Sequence, residues 1–371
     1  MARVFYIGAP LFSPFPEDAA ISDLLRASGS NTGNFLIGGA IKRHLKAQLS
    51  HGDLSKDWDE IKRNFDCVVI GASNYLGAGF DYAQYAAFLE TVDLPCVIIG
   101  LGAQAPRYGC RIDIPEGTQR MVRAISKRCA SIGVRGYFTA SILTEMGIKN
   151  VRVIGCPSMF WTCRPTLSFT QPAASNGLAI ALNGSANVVI HSSDVASARK
   201  VEASLARLAL EKGCRYILQN EREMMEIATG RGPRYPEETI RVLMRQYGVP
   251  YMWPEVFVNA VKEHMTCYSR VETWYEAMKQ FHFVIGSRFH GCLIALLAGI
   301  PARMFIHDAR TREMSELMGL PSLDIADFKT LDVRELYDSF DPTPVQSAYR
   351  YLYQNYIDFL DENRVEHVLK N

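Results

Sequence analysis

Short apolar runs alternate along the chain with longer stretches of helical, amphipathic periodicity. In the first half of the chain the apolar runs fall at 4–9, 67–71, 96–100, 131–134 and 151–154. Runs that are apolar throughout are typical of parallel strands buried on both faces, and strands that alternate with helices form right-handed βαβ units. The pattern therefore predicts a parallel α/β sheet in the first half.

A stretch without clear periodicity, residues 164–177, is rich in Pro, Ser, Thr and Gly and is predicted to be a linker. The alternation then resumes, with apolar runs at 178–182, 214–218, 283–285 and 304–306. We therefore predict an α/β protein in which two Rossmann-like domains, 1–165 and 177–340, face a cleft. A C-terminal helix within 341–371 is expected to pack back on the first domain. Ligands of open parallel sheets bind beyond the carboxyl ends of the strands, so the cleft is the predicted site.

Composition narrows the classes of partner. The 371 residues carry 40 Lys and Arg against 39 Asp and Glu, for a net charge of +1, which argues against nucleic acid as a partner. The nine cysteines show no C-x-x-C spacing, and most lie in apolar runs, as expected of reduced, buried thiols in a reducing compartment.

The N-terminus opens directly into a strand pattern, without the apolar stretch and cleavage site of a signal peptide. Because the chain also contains no run of roughly 18 apolar residues, it is predicted to be cytoplasmic. A tyrosine-rich C-terminal helix leaves contact with a membrane surface open, since Tyr suits membrane interfaces. None of these features determines the oligomeric state.

The most informative local pattern is the segment 283–292. An apolar strand ends at Gly286, a polar turn carries Ser287 and Arg288, and a helix begins near His290. Backbone N–H groups at a helix N-terminus favour anions, Arg binds phosphate or carboxylate in a bidentate manner, and His transfers protons near neutral pH. The alternative interpretation is a helix-capping serine with a structural His–Arg pair.

One strand later, residues 305–313 repeat the arrangement. The strand ends in a polar turn with Asp308 as a predicted helix cap, and Arg310 and Arg312 follow in the first turn of the helix. Adjacent parallel strands bring this turn beside the first one, so both arginines, together with His307, are candidates for the same site. The alternative is a solvated helix start with ordinary salt bridges.

The first half of the chain contributes Arg135, which follows the strand at 131–134. Three polar or glycine-rich turns also follow strands or precede helices, and they predict that Asn31, Gly33, Asn34, Asn74 and Gln104 line the cleft. The eight histidines lack metal-binding spacings, and no G-x-G-x-x-G follows the first strand. The sequence therefore predicts neither a metal nor a nicotinamide or flavin cofactor.

These motifs together resemble the polysaccharide pyruvyltransferase family. The likeness runs from the Asn31-Thr32-Gly33-Asn34 turn to Leu320-Pro321, and it is most specific from Trp274 through Gly286-Ser287-Arg288-Phe289-His290-Gly291 to Glu313. The resemblance implies a GT-B-like fold. It also implies transfer of the enolpyruvyl group of phosphoenolpyruvate to two hydroxyls of a glycan or lipid-linked saccharide, with release of phosphate.

Carried over by motif, His290 corresponds to the family's histidine and is the expected proton carrier. Arg288, Arg135 and Arg310 correspond to its basic residues, and with Ser287 and Arg312 they are expected to bind phosphoenolpyruvate, a co-substrate, so that no cofactor is implied. The chain departs from the family at Asn34 and at Cys156-Pro157-Ser158, where Asp is frequent. Two alternatives stay open, a GT-B glycosyltransferase that uses a nucleotide sugar and a binding protein without catalysis.

Overall fold

The computed structural model describes residues 2–11, 16, 18–169, 177–185 and 188–370. Within them the chain forms two six-stranded sheets, and every strand pairing in both sheets is parallel. Of the predicted linker, residues 170–176 lie outside the described part of the chain. The limits of the two predicted domains stay predictions.

The first sheet has the strand order β2-β1-β3-β4-β5-β6. Its strands are β1 (Arg3–Gly8), β2 (Gln48–His51), β3 (Cys67–Gly71), β4 (Cys96–Leu101), β5 (Ile132–Val134) and β6 (Val151–Val153). Its helices are α1 (Ile21–Ala27), α2 (Asn34–His44), α3 (Trp58–Asn64), α4 (Ala83–Val92), α5 (Glu116–Ser126) and α6 (Tyr137–Glu145), with a 3-10 turn at Pro157–Phe160. Every residue of β4 is buried, as the apolar runs predict.

The second sheet has the order β12-β11-β10-β7-β8-β9. Its strands are β7 (Ile180–Asn183), β8 (Arg215–Ile217), β9 (Met265–Thr266), β10 (Phe283–Gly286), β11 (Ala302–Ile306) and β12 (Ser322–Asp324). Its helices are α7 (Val188–His191), α8 (Val195–Lys212), α9 (Arg222–Thr229), α10 (Glu237–Gln246), α11 (Pro254–His264), α12 (Val271–Met278), α13 (Phe289–Leu297), α14 (Ala309–Met318) and α15 (Val333–Asp338), with a 3-10 turn at Ile325–Asp327.

The strand order reverses between β1 and β3 in the first sheet and between β7 and β10 in the second. At such a switch point the connections leave the sheet toward opposite faces, which opens a crevice beyond the carboxyl ends of the strands. The turns after β3 and β10, the latter predicted to carry Ser287 and Arg288, lie at these two switch points. The fold is therefore α/β, with two Rossmann-like sheets that face a cleft.

The last helix, α16 (Thr343–Glu362), returns to the first sheet. Glu362 forms an ion pair with Arg152 of β6 at 2.7 Å, and the side chain of Asn363 accepts a hydrogen bond from the backbone of Ala130. Tyr349, Tyr353 and Tyr356 are buried and pack around Phe160. These three tyrosines thus belong to the core, whereas Tyr351 of the same helix is exposed. None of the helices in the described residues combines the length and apolarity that spanning a bilayer requires.

Candidate active site

A cavity of about 300 Å³ lies between the two sheets and takes its walls from both. Nine of the residues predicted from the sequence line it: Asn31, Asn34, Asn74, Gln104, Arg135, Ser287, Arg288, His290 and Arg310. The cavity therefore joins residues that are as much as 279 positions apart in the chain, since the carboxyl ends of both sheets open onto it. We call this cavity the cleft.

The turn that carries Ser287 and Arg288 is shaped by a buried asparagine at the end of β7. The backbone oxygen of Asn183 accepts from Ser287 N at 3.2 Å, and its side-chain oxygen accepts from Arg288 N at 3.3 Å. A Cβ at Gly286 would lie 2.2 Å from the side chain of Asn183, and one at Gly291 would lie 2.4 Å from it. The two glycines of this motif are thus required because the Asn183 side chain fills the space beside them.

Arg288 is held firmly by its own half of the molecule. Its guanidinium forms a buried ion pair with Glu221 and donates from Nε to the backbone oxygen of Gly184 at 2.9 Å and from Nη2 to Ser185 Oγ at 2.6 Å. Ser287 donates a hydrogen bond to the buried carboxyl group of Glu202. Burial raises the pKa of Glu202 to about 8, although Ser287 and Arg288 both oppose that rise. Arg288 therefore shapes the floor of the cleft, and Glu221 balances its positive charge from behind.

Arg135 and Arg310 have fewer partners. Arg135 is almost fully buried, and its Nη1 donates to Asn74 Oδ1 at 3.0 Å, in a space that only a glycine at position 102 leaves open. Arg310 lies 3.5 Å from Asp308 Oδ2. The Nε atoms of both arginines are buried, and within the described residues neither has a hydrogen-bond partner. Buried donors of this kind are rare and costly, so they favour an acceptor-rich ligand in the cleft.

His290 lies at the start of α13, where its Nε2 is 3.9 Å from the sulfur of Cys156. The Ser158 hydroxyl donates to the same sulfur at 2.9 Å. Burial lowers the pKa of His290 well below its ordinary value, and the positive charges of Arg135 and Arg310 lower it further. At neutral pH the imidazole is therefore uncharged and can accept a proton.

Two predicted residues differ from the rest. Arg312 does not line the cleft, contrary to the expectation from the sequence, and its guanidinium instead forms ion pairs with Asp324 and Glu316. Helical geometry explains this, since residues two positions apart on a helix face different directions. Gly33 has no side chain to line the cleft, but a Cβ there would lie 2.7 Å from Gln219 and 3.1 Å from His290. It thus allows its turn to approach both residues closely.

Several residues of the cleft were not predicted from the sequence: Ser73, Phe80, Tyr82, Ser185, Val188, His191, Gln219, Asn220 and Met314. Gln219 is buried, and its Nε2 has no hydrogen-bond partner in the described part of the chain. His307, weighed above as a candidate, also lines the cleft, and its buried Nδ1 is likewise unpaired there. The signal that could have found Gln219 and Asn220 is their position directly after an apolar run, at 214–218.

The charged side chains that line the cleft are arginines, although Arg288 and Arg310 have carboxylate partners behind them in Glu221 and Asp308. The lining of the cleft includes no Asp or Glu side chain among the residues that the structure describes. Within those same residues no cluster of three or more His, Cys, Asp or Glu is arranged to hold a metal ion. The polar and aromatic chemistry available on the walls is thus that of arginine, histidine, carboxamide, hydroxyl and aromatic side chains.

The model of the polysaccharide pyruvyl transferase family matches residues 31–309, which is most of the chain. The protein belongs to this family. The matched region contains Arg135, Arg288, His290 and the start of the turn with Asp308. No curated protein matches the chain in sequence.

Among solved structures, UDP-N-acetylglucosamine 2-epimerase from Rickettsia bellii is 11% identical with a TM-score of 0.46, and the match covers 98% of this chain and 96% of that one. A putative UDP-N-acetylglucosamine 2-epimerase from Listeria monocytogenes is 11% identical with a TM-score of 0.43, over 100% of both chains. The glycosyltransferase SnogD from Streptomyces nogalater is 14% identical with a TM-score of 0.34, over 96% and 95%.

Proposed function

We propose that this protein transfers the enolpyruvyl group of phosphoenolpyruvate to two hydroxyls of a saccharide, forms a cyclic pyruvate ketal and releases phosphate. The family match supports a pyruvyl transferase acting in polysaccharide synthesis. The observation that carries the donor assignment is a set of three buried N–H donors around the cleft, Arg135 Nε, Arg310 Nε and Gln219 Nε2, which have no hydrogen-bond partner within the described residues. Phosphoenolpyruvate, with a phosphate and a carboxylate, offers the acceptor oxygens that such donors need.

The proposed division of labour follows the two sheets. Arg288 and Arg310 from the second half, together with Arg135 from the first, would hold the two anionic groups of the donor and stabilise charge on the departing phosphate. The acceptor, a glycan or a lipid-linked saccharide, would enter along the wall formed by the first half. Residues 1–165 and 177–340 would then act as acceptor and donor domains, respectively.

His290 is the proposed proton carrier. Its neutral imidazole would take the proton of the attacking hydroxyl and deliver a proton to the methylene carbon of the donor, which becomes a methyl group. The first hydroxyl oxygen bonds to C2, the C2–O bond to phosphate breaks, and the second hydroxyl closes the ring. Its proton leaves with the phosphate, so each ketal formed releases one hydrogen phosphate. A base of low pKa suits the first of these steps, because it is unprotonated at neutral pH.

The decisive experiment compares wild type with His290→Ala, using phosphoenolpyruvate and candidate lipid-linked glycans. We expect wild type to add one pyruvyl ketal, seen by mass spectrometry, and to release an equal amount of phosphate. Loss of a general acid-base residue should slow both by about 10² to 10⁴-fold. Full activity in the variant would contradict the assignment of His290.

Donor binding can be tested without the acceptor. We expect phosphoenolpyruvate to raise the unfolding temperature of the wild-type protein, because a ligand that binds only the folded state stabilises it. Stabilisation by a nucleoside diphosphate, with no response to phosphoenolpyruvate, would instead favour a glycosyltransferase that uses a nucleotide sugar.

A further inference from the structure

An aromatic side chain on the acceptor wall of the cleft is unusually exposed. Phe80 lines the cleft, yet 43% of its surface is open to solvent. Because the open part of the ring faces a cavity that is a candidate active site, Phe80 is a candidate for ligand contact.

The backbone around Phe80 is shaped to receive its ring. A Cβ at Gly77 would lie 2.9 Å from Cδ2 and 3.2 Å from Cε2 of that ring. Only a glycine at this position therefore allows the ring to pack where it does, against the backbone of Gly77. The packed side of the ring is supported by protein, and the remainder is left open.

The loop that carries Phe80 is fixed before any ligand binds. The hydroxyl of Thr118, which is fully buried on α5, donates to the backbone oxygen of Phe80 and accepts from the backbone N–H of Tyr82 at 3.0 Å. The ring of Tyr82 stacks on that of Tyr75, with their centroids 4.5 Å apart. A ligand that binds here would not have to order the loop, which lowers the entropic cost of binding.

Each of three carboxamide side chains in the cleft uses one of its two polar atoms in a hydrogen bond within the protein. Asn31 Oδ1 accepts from Gly33 N at 2.9 Å, Asn34 Nδ2 donates to the backbone oxygen of Ser28 at 2.9 Å, and Asn220 Oδ1 accepts from Arg288. In the described part of the chain the other half of each amide has no hydrogen-bond partner. The cleft thus presents two donors and one acceptor with fixed orientation, which suits hydroxyl groups because a hydroxyl both donates and accepts.

We propose that Phe80 and Tyr82 form the acceptor subsite and that a pyranose ring packs its apolar C–H face on Phe80 while its hydroxyls meet these amides. An aromatic surface beside a few precisely placed polar groups is common in small-molecule sites. This inference rests on the proposed function, because that function supplies a saccharide as acceptor. It adds the residues that select a sugar ring.

The test measures sugar binding directly, without turnover. Methyl β-D-galactopyranoside and methyl β-D-glucopyranoside serve as probes, and dissociation constants are measured by NMR titration with wild type, Phe80→Ala and Phe80→Trp. We expect wild type to bind at least one of the two probes. Phe80→Ala should bind it about five- to tenfold more weakly, the scale of one lost aromatic contact, and Phe80→Trp should retain binding.

Two further variants sharpen the result. Gly77→Ala should weaken probe binding as well, because the added methyl group displaces the Phe80 ring. Tyr251→Ala is the control, because Tyr251 is 64% exposed and lies outside the cleft. This variant should bind the probe as tightly as wild type does. Thermal unfolding of each variant shows that it is folded at the temperature of the titration.

Probe binding by Phe80→Ala within about twofold of wild type would overturn the proposal, and so would the absence of binding to both probes. Phosphoenolpyruvate affinity is measured on the same samples. Intact glycoside binding without phosphoenolpyruvate binding would contradict the proposed function alone. Phosphoenolpyruvate binding without glycoside binding would contradict the acceptor subsite alone.

Discussion

At the scale of single residues, the electrostatic setting of His290 decides what it can do. Burial and the two nearby arginines hold its pKa well below the ordinary value, so the free protein carries a neutral imidazole at pH 7. The same arginines are the proposed binding groups for an anion. Binding of the donor would therefore offset the part of the pKa lowering that the two arginines cause, whereas the larger part, which burial causes, would remain.

This coupling predicts that phosphoenolpyruvate raises the pKa of His290. The sign follows from the charges, since an anion near the imidazole favours its protonated form and offsets the effect of Arg135 and Arg310. We expect the ¹⁵N NMR titration of the His290 ring to move to higher pH when phosphoenolpyruvate is added, with His290→Gln used to assign the signal. An unchanged or lower pKa in the complex would show that the donor does not bind beside this histidine.

Arg310 and Arg312 form a matched pair, two positions apart on α14. Arg310 lines the cleft, whereas Arg312 pairs with Asp324 and Glu316 outside it. A charged hydrogen bond to a ligand contributes about 1.5–3 kcal/mol, so Arg310→Ala should weaken phosphoenolpyruvate binding by roughly 10- to 100-fold. Arg312→Ala should leave it within about twofold of wild type. Calorimetric titration measures both, and equal losses would mean that the two side chains act through the helix and not through contact.

At the scale of elements, helix α2 contains two adjacent glycines with opposite surroundings. A Cβ at Gly38 would lie 1.9 Å from the backbone oxygen of Pro10, whereas one at Gly39 would meet nothing closer than Trp161 at 3.6 Å. Alanine is favoured over glycine inside a helix by roughly 1 kcal/mol. An alanine at position 39 can therefore stabilise the helix. At position 38 the collision of its Cβ with the backbone outweighs the same preference.

We therefore expect Gly39→Ala to raise the free energy of unfolding by about 0.5–1 kcal/mol. Gly38→Ala should lower it by about 1–3 kcal/mol, because the helix must move away from the loop that follows β1. Chemical denaturation of both variants measures the difference. A stabilised Gly38→Ala would mean that α2 moves aside freely, against the close packing seen here.

Most strands could be predicted because they are buried on both faces and read as unbroken apolar runs. The strands that the pattern misses are β2, β9 and β12, and each is short and lies at or near a sheet edge. The residues of β2 and β12 are half-buried or exposed, so they carry no continuous apolar run. An edge strand packs on fewer neighbours, and its sequence is correspondingly less constrained.

The site was predictable where a motif combines an apolar strand, a polar turn and a helix, as at Ser287, Arg288 and Arg310. Phe80 was not predicted because its position depends on contact between distant parts of the chain. Phe80 depends on Gly77 and on Thr118 of another helix. For Arg312 the opposite holds. The sequence predicts the turn and the helix start correctly, but it does not predict the direction in which the side chain leaves the helix.

At the scale of the whole molecule, the cleft functions only if both halves keep their positions. Glu313 of α14 crosses between them, and its buried carboxylate accepts from the backbone N–H of Thr139 at 2.7 Å and from its hydroxyl at 2.9 Å. Thr139 belongs to the first turn of α6, directly after Arg135 and Gly136. The carboxylate thus caps a helix of the first half from the second half, at the site where a negative charge is most favourable.

Because this contact joins the half that carries Arg135 to the half that carries Arg310, we expect Glu313→Ala to impair the donor site from a distance. We expect the variant to unfold at a lower temperature, since a buried donor at Thr139 is left unpaired at a cost of about 1–3 kcal/mol. We also expect phosphoenolpyruvate to bind several-fold more weakly. Glu316→Ala is the control, because Glu316 lies on the same helix but forms its ion pair with Arg312 at the surface. Calorimetry measures both the unfolding temperature and the affinity for phosphoenolpyruvate. If the two variants behaved alike, the positions of the two arginines would have to depend on other contacts. One such contact is the hydrogen bond from Ala309 N to Ala105 O.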